Sequence, residues 1–469
     1  MTSFLRCCGL PDSRWVNTNY NDRVSHRSNV GAFLSLLYAS SVMVKAVCIV
    51  CWLTGVTLGL CQSALCQGYA AYPVARSSQP RSLVSAVEQL AIEAGKANAH
   101  RRYPRLPGEF EPQRALLLSI SDWQPHHAYV LQQIVEKAAG HTNVLILCNN
   151  PDQLARVVGW LQPSGLPNEH VFFCEIELDT IWLRDFGPML AETETGTQSI
   201  DFFYEGSRPK DDALPVIWAE RSGCELVTVR WTIQGGNLLS NGGRLALTTE
   251  RIFEDNAIQF PSPWPGLDPE IERRKMVIEE FTKACNLTEL VVLEPLQQEA
   301  TKHVDMFTTF LAFDQLVVAR LDPRSDPINA AILDRNAARL ARVRVEGKPL
   351  NVHRLDIPPR NGTSWSAYTN VILANDLVLM PVFQSDPPFL IDRAKRAYQS
   401  LLPNHRVETV DMTSLKELQG GLHCLSLNLP SFAPIPDKVI RFETAAKFYE
   451  SMKSPSDPRA GLLTPSTPR

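Results

Sequence analysis

Residues 238–249, LLSNGGRLALTT, decide the fold class, because their sequence pattern predicts a tight β-hairpin. Asn241 and Gly242 stand at its turn, and Asn-Gly supplies the left-handed backbone conformations that two-residue hairpin turns require. A hairpin joins antiparallel neighbours, so the sheets of this protein are not purely parallel.

Apolar runs of strand length recur from residue 110 onward, and segments with helical spacing separate some of them. The runs with strand character include ALLLSI (115–120), NVLILC (143–148), SIDFFY (199–204), ELVVLE (289–294), QLVVARL (315–321) and LVLMPVF (377–383). The segments with helical character are 128–140, 271–285, 328–345 and 390–402. This pattern predicts a mixed α/β protein, and short sheets with one helix each, repeated around a centre, fit it.

The composition indicates what kind of protein this is and which kind of partner is not expected. The 469 residues are 44% hydrophobic and 20% charged, and the net charge is -4. These values are typical of a globular protein with an ample core. The chain offers no basic stripe to phosphates, so nucleic acid is excluded as an expected partner.

The first 66 residues contain two apolar runs, 32–44 and 46–61, each shorter than the roughly 18 residues of a membrane span. If Met43 is the true start, MVK is a basic n-region, 46–60 an h-region and SALCQG a cleavage site. We therefore expect export to the periplasm or the medium, with a membrane anchor if the segment is not cleaved.

The rest of the chain divides into a linker and helix at 67–104, a catalytic domain at 105–435 and a partly disordered tail with one short helix at 436–469. Six of the 11 cysteines lie before residue 67. Four of the others lie in or beside apolar segments and are expected to be buried thiols: Cys148, Cys174, Cys224 and Cys285. Cys424 differs, because glycines and His423 precede it.

Four stretches could carry chemistry: WLRDFGP (182–188), QGGN (234–237), KHVDMF (302–307) and LQGGLHCLSLN (418–428). Singly, each has a plain structural interpretation. Asp185 suits a turn, and Gln234 to Asn237 suit a glycine turn. His303 and Asp305 alternate as on a strand and would share one face. The DFG letters do not indicate a kinase, since its other motifs are missing.

Together the four stretches supply one thiol, one imidazole and two carboxylates. A guanidinium is planar and cationic, and carboxylates match its fork of N–H donors. Attack on its central carbon needs a thiolate, and the expulsion of ammonia needs a proton donor that later activates water.

Six motifs stand in order across residues 105–430: FEPQRALLLSISDW, WLRDFGP, GGNLLSNGG, KHVDMF, AYTNVILAND and GGLHCLS. In these motifs the chain resembles the family of agmatine deiminases and bacterial, Porphyromonas-type peptidylarginine deiminases. The resemblance implies the pentein fold, an α/β propeller with a pseudo-fivefold arrangement of ββαβ units. It implies a hydrolase of C–N bonds in linear amidines, without metal or organic cofactor.

The resemblance also implies roles for individual residues. Cys424 would be the nucleophile and His303 the general acid and base, while Asp185 and Asp305 would clamp the guanidinium. The expected substrate-binding residues are Trp182, Arg208, Gly236, Asn237 and Asn370.

The substrate is expected to be peptidyl or free arginine. Agmatine deiminases have an acidic residue before the double glycine, where this chain has Gln234, and Arg208 lies in a segment that resembles the exported peptidylarginine deiminase. Agmatine is the alternative substrate. An amidinotransferase and a non-catalytic pentein binding protein are further alternatives, and release of ammonia distinguishes a deiminase from both.

Overall fold

The fold repeats one unit five times: two antiparallel strands, then a helix, then a third strand that runs parallel to the second. A computed structural model describes residues 103–121, 123–162, 168–257, 268–362, 364–418 and 420–452. The expected signal segment and most of the linker (residues 1–102) lie outside the described residues.

The strands are β1 Gln113–Ser119, β2 Asn143–Cys148, β3 Val171–Glu175, β4 Met189–Glu192, β5 Thr197–Phe203, β6 Glu225–Thr232, β7 Leu239–Ser240, β8 Leu245–Thr249, β9 Glu289–Leu293, β10 Thr308–Ala312, β11 Gln315–Arg320, β12 Arg344–Val345, β13 Lys348–Pro349, β14 Asn351–Asp356, β15 Ile372–Ala374, β16 Leu377–Val382, β17 Arg406–Asp411, β18 Ser426–Pro430 and β19 Ile440–Arg441. The α-helices are α1 Ala128–Ala138, α2 Pro151–Leu161, α3 Leu183–Phe186, α4 Pro209–Asp212, α5 Leu214–Ser222, α6 Arg251–Asp255, α7 Pro269–Ala284, α8 Pro327–Leu340, α9 Pro388–Leu401 and α10 Phe442–Met452.

Four of the five units are continuous in sequence. Their sheets have the orders β4-β5-β6, β7-β8-β9, β10-β11-β14 and β15-β16-β17. In each, the first pair of strands is antiparallel and the second pair is parallel. A parallel pair needs a crossover, which α5, α7, α8 and α9 supply in turn.

The fifth unit joins the two ends of the catalytic region. β18 pairs antiparallel with β1, and β1 pairs parallel with β2 after the crossover through α1. The sheet continues through β3 to β19. β1 is buried along almost its whole length because both faces of its sheet are covered: Leu116 and Leu118 pack into one apolar cluster, and Ala115 and Leu117 into another.

The structure confirms the mixed α/β class and the ββαβ repetition expected of the pentein fold. The hairpin of 238–249 is present as β7 and β8, with Gly242 at a φ of 75°. Helix α8 ends at Leu340, five residues before the expected end, because the chain turns there into the small β12–β13 hairpin.

The C-terminal segment extends the sheet of the fifth unit. β19 pairs with β3, and α10, the short helix expected in the tail, packs against α2. Residues 453–469 lie outside the described residues. Of the helices that are described, none is long and apolar enough to cross a membrane.

Candidate active site

The four polar stretches converge on one buried site, and each reaches it as a short helical turn. Asp185 lies in α3, and 3₁₀ turns are formed by Gly235–Asn237, Val304–Met306 and His423–Leu425. The expected strand alternation of His303 and Asp305 is therefore wrong. His303 caps a 3₁₀ turn that contains Asp305, and both side chains are buried.

The thiol of Cys424 is buried beside one carboxylate and one amide. Its Sγ lies 3.6 Å from Asp305 Oδ2 and 3.8 Å from Asn370 Nδ2. Burial and the charges of Asp305 and Asp185 raise the pKa of Cys424 well above its ordinary value. The free protein therefore holds a neutral thiol there, and a cationic ligand that offsets the carboxylates favours the thiolate.

Asp185 and His303 are neighbours in the same site. Asp185 Oδ1 lies 3.6 Å from His303 Nδ1 and accepts a hydrogen bond of 3.2 Å from Gly236 N–H. Burial and the charge of Asp305 raise the pKa of Asp185, while His303 and the Gly236 N–H act in the opposite direction. A bound cation would offset the cost of keeping this carboxylate ionised.

Several buried polar atoms at the centre of the site have no hydrogen-bond partner among the described residues. They are both ring nitrogens of His303 and Oδ1 of Asp305. A buried polar atom without a partner costs about 1–3 kcal/mol. Such atoms accumulate where a polar ligand completes the hydrogen bonding.

Glycines allow the close approach of these groups. A Cβ on Gly236 would lie 2.8 Å from both Asp185 Oδ1 and His303 Nδ1. A Cβ on Gly420 would overlap the Trp182 ring, and one on Gly421 would overlap the Asn370 amide. The paired glycines are thus a steric requirement of the site.

A cavity of about 260 Å³ leads to the thiol. Its walls include two expected binding residues, Trp182 and Arg208, together with Asp185 and Cys424. The other described wall residues include Tyr204, Glu205, Gln234, Arg251, Thr301 and Gly420. Arg208 Nη1 donates a hydrogen bond of 2.8 Å to the Tyr204 hydroxyl, and its Nε lies 3.6 Å from Glu205.

The two expected binding asparagines have many contacts with the protein itself. Asn237 Oδ1 accepts hydrogen bonds from Thr249 N, Thr249 Oγ1 and Val304 N. Asn370 Oδ1 accepts one of 2.8 Å from His423 N. Both asparagines thereby hold the turns that carry His303 and Cys424, and contact with substrate stays a prediction for each.

Three residues beside the site were not expected from the sequence to take part in it: His423, Glu109 and Arg184. His423 Nδ1 lies 2.9 Å from Asp305 Oδ2, and its Nε2 lies 2.7 Å from Glu109 Oε2. Arg184 forms a 2.5 Å ion pair with Glu109. The only signal in the sequence was the place of His423 next to Cys424 and of Arg184 next to Asp185. Glu109 is 314 positions from His423, so sequence spacing could not connect them.

The site contains no evident metal centre. Across the described ranges, no group of three or more His, Cys, Asp or Glu side chains is arranged to hold a metal ion. The donor set instead offers carboxylates in pairs around a thiol, which suits an organic cation.

Comparisons with known proteins agree with this chemistry. Residues 105–430 match the Porphyromonas-type peptidyl-arginine deiminase family. An agmatine deiminase of Stutzerimonas stutzeri is 22% identical over 335 residues, which cover 63% of this chain and 86% of the relative. Agmatine deiminases of C. jejuni and Enterococcus faecalis share the fold, with TM-scores of 0.56 and 0.57 and 18% identity. The match covers 71% of this chain and 96% of the C. jejuni structure. It covers 70% of this chain and 96% of the E. faecalis structure.

We predict that Cys424→Ala abolishes the release of ammonia while the protein stays folded, because a methyl group cannot attack a guanidinium carbon. Cys285→Ala is the matched control, since Cys285 is also a free, buried thiol whose pKa burial raises to about 12. Ammonia release and circular dichroism measure the two properties. Turnover at the wild-type rate in Cys424→Ala would remove this thiol from the reaction.

We predict that Asp185→Asn lowers kcat/KM by at least about tenfold, because a charge-assisted hydrogen bond is worth roughly 1.5–3 kcal/mol. Labelling of Cys424 by iodoacetamide should shift to lower pH, since a negative charge that raises the thiol pKa is removed. Asp201→Asn, a half-buried carboxylate in β5, is the control. An unchanged kcat/KM and labelling profile in Asp185→Asn would contradict the role of this carboxylate.

Proposed function

The chain belongs to the Porphyromonas-type peptidyl-arginine deiminase family, and we propose that it hydrolyses the guanidinium group of arginine to citrulline and ammonia. This is hydrolysis of a C–N bond in a linear amidine. One observation carries the proposal: Asp185 lies 3.6 Å from His303, Asp305 lies 3.6 Å from the Cys424 thiol, and Asp185 and Cys424 line the same cavity. Two carboxylates can bind the two sides of a planar guanidinium and present its carbon to the sulfur.

The reaction follows from these positions. When the substrate binds, the Cys424 thiol passes its proton to His303, and the thiolate attacks the guanidinium carbon to form a C–S bond, which gives a tetrahedral adduct. His303 donates a proton to the departing nitrogen, the C–N bond breaks, and ammonia leaves an amidino-thioether. His303 then accepts a proton from water as the water attacks the same carbon. Breakage of the C–S bond returns the thiol and releases the ureido group of citrulline.

The mouth of the cavity favours a substrate with a carboxylate. Arg208 lines the wall, and Arg251 contributes a second guanidinium to it. Trp182 offers an indole surface to the aliphatic chain of arginine. We therefore prefer free arginine or a peptide with an exposed arginine carboxylate.

Agmatine is the second candidate, and one observation favours it. Glu205 lines the same cavity, and Gln234 Nε2 donates a hydrogen bond of 3.4 Å to Glu205 Oε1. A carboxylate is thus present beside the position where agmatine deiminases have an acidic residue. It could bind the distal ammonium of agmatine, although Arg208 lies close to it.

We predict that ammonia release is faster with free arginine or C-terminal arginine peptides than with agmatine or argininamide. Arg208→Gln should raise KM for the carboxylate-bearing substrates by about tenfold, since one charge-assisted contact is lost. It should leave agmatine turnover equal or faster. Ammonia and citrulline assays across the four substrates measure this, with Arg251→Gln to test the second guanidinium.

The outcomes separate the candidates. If the protein turns over agmatine faster than arginine, and Glu205→Gln abolishes that preference, the substrate is agmatine and not arginine. Amidino transfer to an added amine, with ornithine as the other product and no release of ammonia, would indicate an amidinotransferase. Binding of these ligands without any product would indicate a binding protein.

We also propose that the protein is exported and that the mature chain begins near Gln67. The support is the order of MVK, an apolar run and SALC in residues 43–66. Amino-terminal sequencing of the protein purified from its native host should find a start close to residue 67. A product that retains residues 1–42 would contradict both the Met43 start and the cleavage.

A further inference from the structure

His423, the residue before the nucleophile, lies between two carboxylates in the interior. Its ring nitrogens lie 2.9 Å from Asp305 Oδ2 and 2.7 Å from Glu109 Oε2, and the residue is only 2% exposed. An ionised carboxylate only accepts hydrogen bonds, and a neutral imidazole has only one N–H. Both contacts are satisfied together when both ring nitrogens carry a proton.

We propose that His423 is a positioning residue for the deiminase reaction: its doubly protonated ring, held by Glu109, keeps the Asp305 carboxylate turned towards the substrate. The inference rests on the proposed function, since it assigns Asp305 to a guanidinium. It adds a second histidine and a distant glutamate to the groups on which that function depends.

His423 first fixes the orientation of the Asp305 carboxylate. Asp305 Oδ2 accepts from His423 and also faces the Cys424 sulfur at 3.6 Å. Asp305 Oδ1 has no hydrogen-bond partner among the residues that the structure describes. His423 therefore fixes one oxygen and leaves the other for a guanidinium N–H. Without this anchor the carboxylate could rotate and bring neither oxygen into place.

The second effect of His423 is electrostatic. The Cys424 thiol must become negative beside Asp305 and Asp185, and a cationic ring next to Asp305 favours that thiolate. Burial and Arg184 lower the pKa of His423, whereas Glu109 and Asp305 raise it, and the net direction is upward. Two carboxylates, Glu109 and Asp305, and one guanidinium, Arg184, thus act on the ring, and their combined effect favours its charged form.

The support for His423 continues away from the thiol. Burial raises the pKa of Glu109, but Arg184 and His423 lower it to about 2, so Glu109 is ionised at neutral pH. Arg184 also donates a hydrogen bond of 2.7 Å to Asn428 Oδ1. Arg184 and Asp185 are neighbours on α3, and successive helical residues point about 100° apart. One short helix thus supplies a substrate carboxylate and the guanidinium that holds Glu109.

His423→Asn tests the proposal through the thiol, without substrate. Asparagine keeps a donor near the Nδ1 position but has no charge. Loss of the cation should raise the pKa of Cys424, so labelling by iodoacetamide should shift to higher pH, opposite to the shift expected for Asp185→Asn. On arginine, kcat/KM should fall by at least about tenfold. A merely structural role predicts a looser site and faster labelling.

Glu109→Gln tests the other side of the ring. It removes a charge that raises the pKa of His423, so the alkaline limb of the kcat/KM profile should move to lower pH. Glu192→Gln is the matched control, because Glu192 pairs at 2.6 Å with the buried Arg105. It should change stability and leave the pH profile in place. If neither His423→Asn nor Glu109→Gln folds, ¹⁵N spectra of the wild-type histidines give the answer.

In those spectra, the ring nitrogens of His423 should both show the protonated shift above pH 6.5, the ordinary pKa of histidine. A neutral His423 ring at pH 7 would overturn the proposal. So would faster labelling in His423→Asn, or a pH profile of Glu109→Gln equal to that of wild type. Because labelling and spectra need no substrate, they can fail while ammonia release succeeds, and the reverse also holds.

Discussion

The pairing of β18 with β1 is the contact on which the site depends. Leu117 pairs with Leu427 and Leu118 with Ser426 in that antiparallel ladder, which joins the two ends of the catalytic region. Asn428 Nδ2 adds a hydrogen bond of 2.7 Å to Gln113 Oε1. Cys424 lies two residues before β18, and Glu109 lies four residues before β1. Ring closure therefore brings the nucleophile, His423 and Glu109 together, although they come from opposite ends of the catalytic region.

The second constraint is electrostatic, because a buried thiolate and two buried carboxylates are costly unless cations accompany them. His423 and Arg184 supply positive charge on the protein side, next to Asp305 and Glu109. Among the described residues, Asp305 Oδ1 and both ring nitrogens of His303 have no hydrogen-bond partner, and Asp185 lines the cavity that leads to the thiol. A planar cation can supply hydrogen bonds and charge to this part of the site.

Much of this could be predicted from the sequence. The presence of the hairpin at 238–249, the helices with strong apolar spacing and the helical tail segment follow local rules that the structure confirms. The hairpin turn is longer than two residues, since 241–244 separate β7 from β8 and Gly242 has a left-handed backbone whereas Asn241 does not. The turn at His303–Asp305 did not follow them, because alternation of polar and apolar residues is as compatible with a short buried turn as with a strand. The roles of Glu109 and Arg184 could not be predicted from the sequence, because ring closure and burial determine their partners and no local sequence pattern indicates either.

The most direct test of the account is a single-turnover experiment in which excess protein reacts with arginine and is quenched in acid at successive times. Peptide mass spectrometry of the quenched protein should find an amidino group on the peptide that contains Cys424, formed before citrulline appears and lost as citrulline accumulates. Citrulline that forms in the first turnover while Cys424 stays unmodified throughout would contradict the covalent reaction and the reading of this site.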